Sequence, residues 1–168
     1  RISQENNFVP VVEPEILLDG VHTTTRCAEI SVKVWNILFE KLKAGGIDLN
    51  NLILKTNMVL PGKDSGVKAA PLEVAEATLR SLKQVIPPEV GGIVFLSGGQ
   101  TTDEATNNLN EIIKRKGDAP WDLSFSYARA LQQEALNTWA GKEESVKTAQ
   151  EVFLKRLEMV SKARKGEL

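Results

Sequence analysis

The chain has 168 residues, of which 42% are apolar and 26% charged, enough for one soluble domain with a sizeable core. Its formal net charge is -1, and basic and acidic residues are interspersed, so it has no electrostatic footprint for nucleic acid or an anionic membrane. No apolar run has the length of a membrane span, and the opening Arg1-Ile2-Ser3-Gln4-Glu5-Asn6 has neither a signal core nor a transit-peptide composition, which predicts a cytoplasmic protein. One cysteine, Cys27, with only His22 nearby, excludes an internal disulfide and forms no zinc pattern, so metal-dependent chemistry is disfavoured. The absence of an initiator methionine leaves open that the natural chain is longer.

In chain order the pattern is strand then helix, repeated. Phe8 to Val12 is a short β-branched run, and Thr23 to Ala44 follows with helical periodicity, Thr23 to Thr25 as candidate N-caps and Gly45-Gly46 at its end. Leu52-Ile53-Leu54 is a second strand. After a Gly-rich loop, a helix opens at Pro71 and stops before Pro87-Pro88. Gly92 to Leu96 is the third strand, and Thr101 to Lys116 is a capped helix closed by Gly117. Leu123 to Ser126 alternates as a weaker fourth strand. Ala130 to Trp139 reads helical, and an amphipathic helix spans about Glu144 to Arg164. No linker divides residues 1–168, which are expected to form a single domain.

Alternating strands and helices imply a parallel sheet, either a small doubly wound one or half of an eight-fold barrel. A whole barrel takes about 250 residues, so this chain cannot close one alone. In both architectures the site lies at the carboxyl ends of the strands. Four segments stand there. Val11-Val12-Glu13-Pro14-Glu15-Ile16-Leu17 carries two glutamates that a two-residue period would place on one face, for acid/base work or simply as solvated carboxylates. Leu54-Lys55-Thr56-Asn57-Met58 ends a buried strand with a lysine, which either snorkels to water or, desolvated, becomes a nucleophilic amine. Ser97-Gly98-Gly99-Gln100 is either a tight turn or a phosphate loop feeding a helix N-terminus. Ser126-Tyr127-Ala128-Arg129 offers an arginine either for a bidentate grip on phosphate or for a surface ion pair.

These four segments, in this order, joined by stretches such as Asp19-Gly20-Val21-His22, resemble successive signatures of the class I fructose-bisphosphate aldolases from about Asn7 to Lys155. The resemblance implies an α/β fold, the (β/α)8 TIM barrel, of which this chain would supply the last four βα units and a C-terminal helix. It implies an aldehyde-lyase of glycolysis and gluconeogenesis that cleaves fructose 1,6-bisphosphate to dihydroxyacetone phosphate and glyceraldehyde 3-phosphate without a metal or cofactor. Lys55 would be the Schiff-base lysine, Glu13 the proton shuttle and Glu15 a supporting carboxylate. Ser97, Gly98 and Arg129 would cradle the C1 phosphate. The sugar phosphate would be the partner, with a homotetramer as the whole enzyme.

The family's first four barrel strands, with further lysines, arginines and an aspartate of the site, have no counterpart in this chain, so the chain alone is expected to be inactive. The ending Lys165-Gly166-Glu167-Leu168 has no tyrosine-terminated tail. Thr56 stands where many members have proline, and Ala128 where many have glycine. The alternative to an aldolase half is a catalytically incomplete half-barrel that keeps only phosphate binding or a scaffold role.

Overall fold

A computed structural model describes residues 1–168. Four parallel strands, β1 (Val11–Val12), β2 (Ile53–Thr56), β3 (Gly92–Phe95) and β4 (Leu123–Phe125), lie side by side in sequence order. Sequential order decides between the two expected architectures. A doubly wound sheet reverses direction at a switch point, whereas strands that never reverse, joined by right-handed crossovers, carry all their helices on one face. The connecting helices form that single layer: α2 (Thr24–Ala44) packs on α3 (Pro71–Val85), and α3 on α4 (Thr102–Arg115). This is the winding of consecutive barrel units.

The remaining helices are α1 (Ile2–Glu5), which the sequence pattern does not predict, α5 (Arg129–Trp139) and α6 (Val146–Ala163), with single 3-10 turns at Leu49–Asn51 and Glu143–Ser145. α1 is held to the base of the domain by Gln4, whose amide donates to the carbonyls of Asp48 and Asn51. The first strand is shorter than the expected Phe8–Val12. Val11 pairs with Ile53, and β2 starts there, so the ladder runs out and Phe8 and Val9 are left largely exposed.

Local chemistry explains the helix limits. Thr23 Oγ1 accepts the Arg26 N–H at 3.1 Å to start α2, and Cys27, Ser31, Trp35 and Phe39, each one turn apart, form its buried stripe. α3 opens on Pro71 with Glu73 reaching back to the Ala70 N–H. α4 has a reciprocal capping box between Thr101 and Glu104, at 3.2 and 2.8 Å.

One hydrophobic core, from Ile16 to Ala163, lies between the sheet and the helices. Leu54, Ile93, Phe95, Leu82 and Leu109 are almost completely buried in it, each worth about 1.5–3 kcal/mol. The other face of the sheet is open. Along β2 burial alternates, with Leu54 and Thr56 under the helices and Ile53 and Lys55 half-exposed on the far side. Val94 and Ser124, registered beside Lys55 in β3 and β4, are likewise only partly covered.

Candidate functional site

All four segments singled out in the sequence emerge at the carboxyl ends of the strands. Two clusters form there, one around Lys55 and one around Gly98.

Lys55 is on the open face because Thr56 is anchored on the opposite one, where its hydroxyl accepts the buried Trp35 indole N–H at 3.0 Å. A proline at position 56 would offer no such acceptor, so the departure from the family pattern is matched by a partner for Trp35. Continuing the β1–β2 register by one residue brings Glu13 opposite Lys55, and Lys55 Nζ lies 2.8 Å from Glu13 Oε1. The lysine side chain is 22% exposed and the glutamate 42%. An ammonium in contact with a carboxylate can pass it a proton to become a nucleophilic amine, and the carboxylic acid so formed can return that proton to an oxygen atom of a bound carbonyl compound.

The Glu13 segment is fixed by Asn57, whose buried side chain donates to the Ile16 carbonyl at 2.8 Å and accepts the Ile16 N–H at 2.7 Å. Asn57 falls within the motif read from sequence, but its role as a two-point clamp on a segment 41 residues away was not legible there. The clamp also separates the two glutamates, which were expected to share a face. β1 ends at Val12, Pro14 interrupts the alternation, and Glu15 turns into the second cluster while Glu13 stays on Lys55.

That second cluster surrounds a cavity of about 440 Å³ lined by Glu15, Gly98, Thr101, Arg129 and neighbouring residues, but not by Lys55, Glu13 or Ser97. Gly98 leaves open the space beside Arg129 and Glu15. A Cβ there would lie 3.1 Å from Leu96 Cδ1 and 3.7 Å from both Arg129 Nη2 and Glu15 Oε1, filling the space between guanidinium and backbone. Gly99 adopts φ +75°, and a Cβ on it would meet Leu18 Cδ1 at 2.5 Å. Ser97 is buried behind this turn, its carbonyl accepting the Gln100 N–H at 3.3 Å. Arg129 is the first residue of α5 and is exposed to the cavity. A backbone turn held to glycine, the N-terminus of α4 and a guanidinium on one cavity wall together suit a phosphate group. Ala128 needs no glycine-like freedom, since its φ is -101°.

The sequence reading missed what holds this wall in place. Arg156 of α6 is buried, and its guanidinium donates to the carbonyls of Ala130 (3.2 Å) and Thr102 (2.5 Å), to Thr106 Oγ1 (2.8 Å) and to Asp103 Oδ1 (3.1 Å). It thereby ties the first turn of α5, which bears Arg129, to the first turn of α4. Tyr127 adds a second tie, donating its hydroxyl proton to the Ala105 carbonyl at 2.8 Å. The available signal for Arg156 was its place in the apolar stripe of α6, seven residues after Ala149 and four before Val160.

No group of three or more His, Cys, Asp or Glu side chains is arranged to hold a metal ion, and no helix is long and apolar enough to cross a membrane.

Comparison with known proteins identifies the family. The family model for class-I fructose-bisphosphate aldolase, the glycolytic type, matches residues 1–168. Cytosolic fructose-bisphosphate aldolase 4 of Arabidopsis thaliana is 48% identical over 165 residues, covering 98% of this chain and 42% of that protein. Chloroplastic fructose-bisphosphate aldolase 2 of Pisum sativum is 52% identical over the same length, covering 47% of that protein. The Plasmodium falciparum fructose-bisphosphate aldolase, solved in complex with TRAP and a small-molecule inhibitor, superposes with a TM-score of 0.93 at 46% identity, over 98% of this chain and 47% of that one. The chain thus spans just under half the length of the relatives it matches. Its parallel sheet wound in one direction is a portion of their barrel, and the chain belongs to the class-I fructose-bisphosphate aldolase family.

Proposed function

We propose that this chain contributes the nucleophilic half of a fructose-bisphosphate aldolase. In this reading residues 1–168 act as one domain, completed by further barrel strands across the open sheet face and the exposed edge at Val11. A parallel sheet left uncovered on one side supports that reading, since such sheets are ordinarily buried on both. The whole enzyme is proposed to be a cytosolic homotetramer acting on a sugar phosphate, without a metal or cofactor.

The observation that carries the proposal is the 2.8 Å pair of Lys55 and Glu13 on the open face, at the same strand ends as the Gly98–Arg129 cavity. With its proton passed to Glu13, Lys55 Nζ attacks the C2 ketone of fructose 1,6-bisphosphate to give a carbinolamine. Protonation of the carbinolamine hydroxyl releases water and leaves an iminium. The C3–C4 bond then breaks, its electron pair moving into the iminium to form an enamine, while the C4 hydroxyl proton goes to Glu13 and glyceraldehyde 3-phosphate departs. Protonation at C3 and hydrolysis release dihydroxyacetone phosphate and restore the amine. Glu15 supports the site electrostatically, and Gly98 and Arg129 hold the C1 phosphate, with Ser97 shaping the turn from behind.

Borohydride reduction in the presence of dihydroxyacetone phosphate, followed by peptide mapping, tests the assignment. An adduct at Lys55 is expected; an adduct confined to Lys63 or Lys68 would refute it.

A further inference from the structure

Lys63 has no role in the reaction just described, yet it lines the same cavity as Gly98, Glu15 and Arg129. The loop that carries it is zipped to the loop after β1. Lys63 N donates to the Leu18 carbonyl at 2.9 Å, Gly62 N to His22 at 2.8 Å and Asp64 N to Gly20 at 3.0 Å. The contact is close enough that a Cβ on Gly62 would lie 2.3 Å from the Gly20 carbonyl oxygen. The backbone of Lys63 is therefore fixed at the cavity rim, and its side chain extends from there.

The ammonium of Lys63 is paired with Asp19, both side chains being more than half exposed. A pair this exposed adds little stability, so exchanging Asp19 for another anion costs little. The charges around the cavity give a reason for the exchange. Glu15, Asp19 and Glu104 face it against only two cations, Lys63 and Arg129, and Glu104 is already committed to the cap of α4. A phosphate dianion beside Gly98 also meets the Glu15 carboxylate, and one guanidinium does not balance both. Arg129 is close enough for its charge to work against the Lys63 ammonium, while Asp19 favours it. An anion seated between the two cations relieves that repulsion.

We propose that Lys63 is a second phosphate-binding cation of this cavity, exchanging Asp19 for the C1 phosphate as substrate enters. The inference rests on the proposed aldolase reading of the same site.

Its test uses the complete gene product as wild type, Lys63→Met, Lys63→Arg and Asp19→Asn. KM for fructose 1,6-bisphosphate and Ki for inorganic phosphate are measured at two salt concentrations, alongside thermal melts. Lys63→Met should raise both constants roughly three- to tenfold and flatten their salt dependence, with kcat within about twofold of wild type and the melting temperature unchanged. Lys63→Arg should restore both constants, and Asp19→Asn, by freeing the lysine, should lower Ki. If wild type cleaves substrate and Lys63→Met leaves KM and Ki unaltered, Lys63 is only a surface ion-pair partner and the inference fails while the aldolase reading stands. If wild type cleaves nothing, the aldolase reading fails. A phosphorus-31 NMR titration of inorganic phosphate then decides on Lys63 alone, equal affinity of wild type and Lys63→Met overturning it.

Discussion

The two faces of the sheet are built from alternate residues of the same strands, yet they serve different ends. Leu54, Thr56, Ile93 and Phe95 lie under the helices and are fully buried, with even the Thr56 hydroxyl satisfied by Trp35. Ile53, Lys55, Val94 and Ser124 look the other way and stay half-covered. Stability is thus concentrated on one side of a backbone whose proposed nucleophile sits on the other. A charged amine can then stand at a strand end without burying its charge in the core. The contrast predicts that open-face substitutions change chemistry without changing stability, and that substitutions on the helical side do the reverse.

The largest expected effect is on the open face. Lys55→Met in the complete enzyme removes the proposed nucleophile, and turnover should fall at least about ten-thousandfold, about 5.5 kcal/mol in barrier, with the thermal midpoint nearly unchanged. A steady-state assay beside a melting curve checks both halves. A large drop in the melting temperature would mean that Lys55 also holds the sheet, and the separation of faces would fail at its most important residue.

Arg156→Met probes the helical side. Its buried guanidinium bridges α4, α5 and α6, so removing it takes a charged donor from the Thr102 and Ala130 carbonyls and should cost about 3 kcal/mol in urea unfolding. Arg156→Lys should recover only part, because an ammonium cannot reproduce the planar fork. A change below about 0.5 kcal/mol would show that water replaces the guanidinium without penalty.

Much of this was legible in the sequence, for reasons the contrast makes plain. Periodicity and caps located α2, α3, α4 and the alternation of strand and helix, since Thr23, Pro71 and the Thr101–Glu104 box act on their own neighbours. The positions of Lys55, Gly98 and Arg129 at strand ends follow from the same local signals. What was hidden depends on distant partners. The extent of β1 was set by where β2 begins, not by the apolar run from Phe8. The parting of Glu13 from Glu15 depends on Asn57 and Ile16, and the support of Arg129 on a residue in the last helix. Choosing a barrel over a doubly wound sheet required the strand order, which no single segment encodes.

Arg129 lies between these extremes, anchored through its helix but exposed at the cavity. Hydrogen bonds to charged groups are worth about 1.5–3 kcal/mol, so Arg129→Ala in the complete enzyme should raise KM for fructose 1,6-bisphosphate roughly ten- to a hundredfold, with lysine intermediate. The fold should be unaffected, since no ion pair or hydrogen bond of the domain runs through its guanidinium. A loss of melting temperature would make it a structural residue instead.

The smallest effect concerns Tyr127, which falls on the covered side although Ser126 and Ala128 beside it are exposed. It is the single tyrosine of the chain, so its phenolate absorbance is unambiguous. Burial pushes its hydroxyl well above the ordinary value of 10.0, the charge of Arg156 opposing this only in part. The folded chain therefore favours the neutral phenol. The stability linked to it is fully present below pH 10.0 and is lost as pH rises further, because the unfolded chain ionises first. The loss approaches about 1.4 kcal/mol per pH unit. In an alkaline titration followed at about 295 nm, phenolate should be absent from the native protein at about pH 11 and appear only together with loss of helical circular dichroism. A reversible phenolate titration near pH 10 with the helix signal intact would place Tyr127 in water. The hydroxyl tie to Ala105 would then be absent, and with it one of the two supports of the cavity wall that bears Arg129.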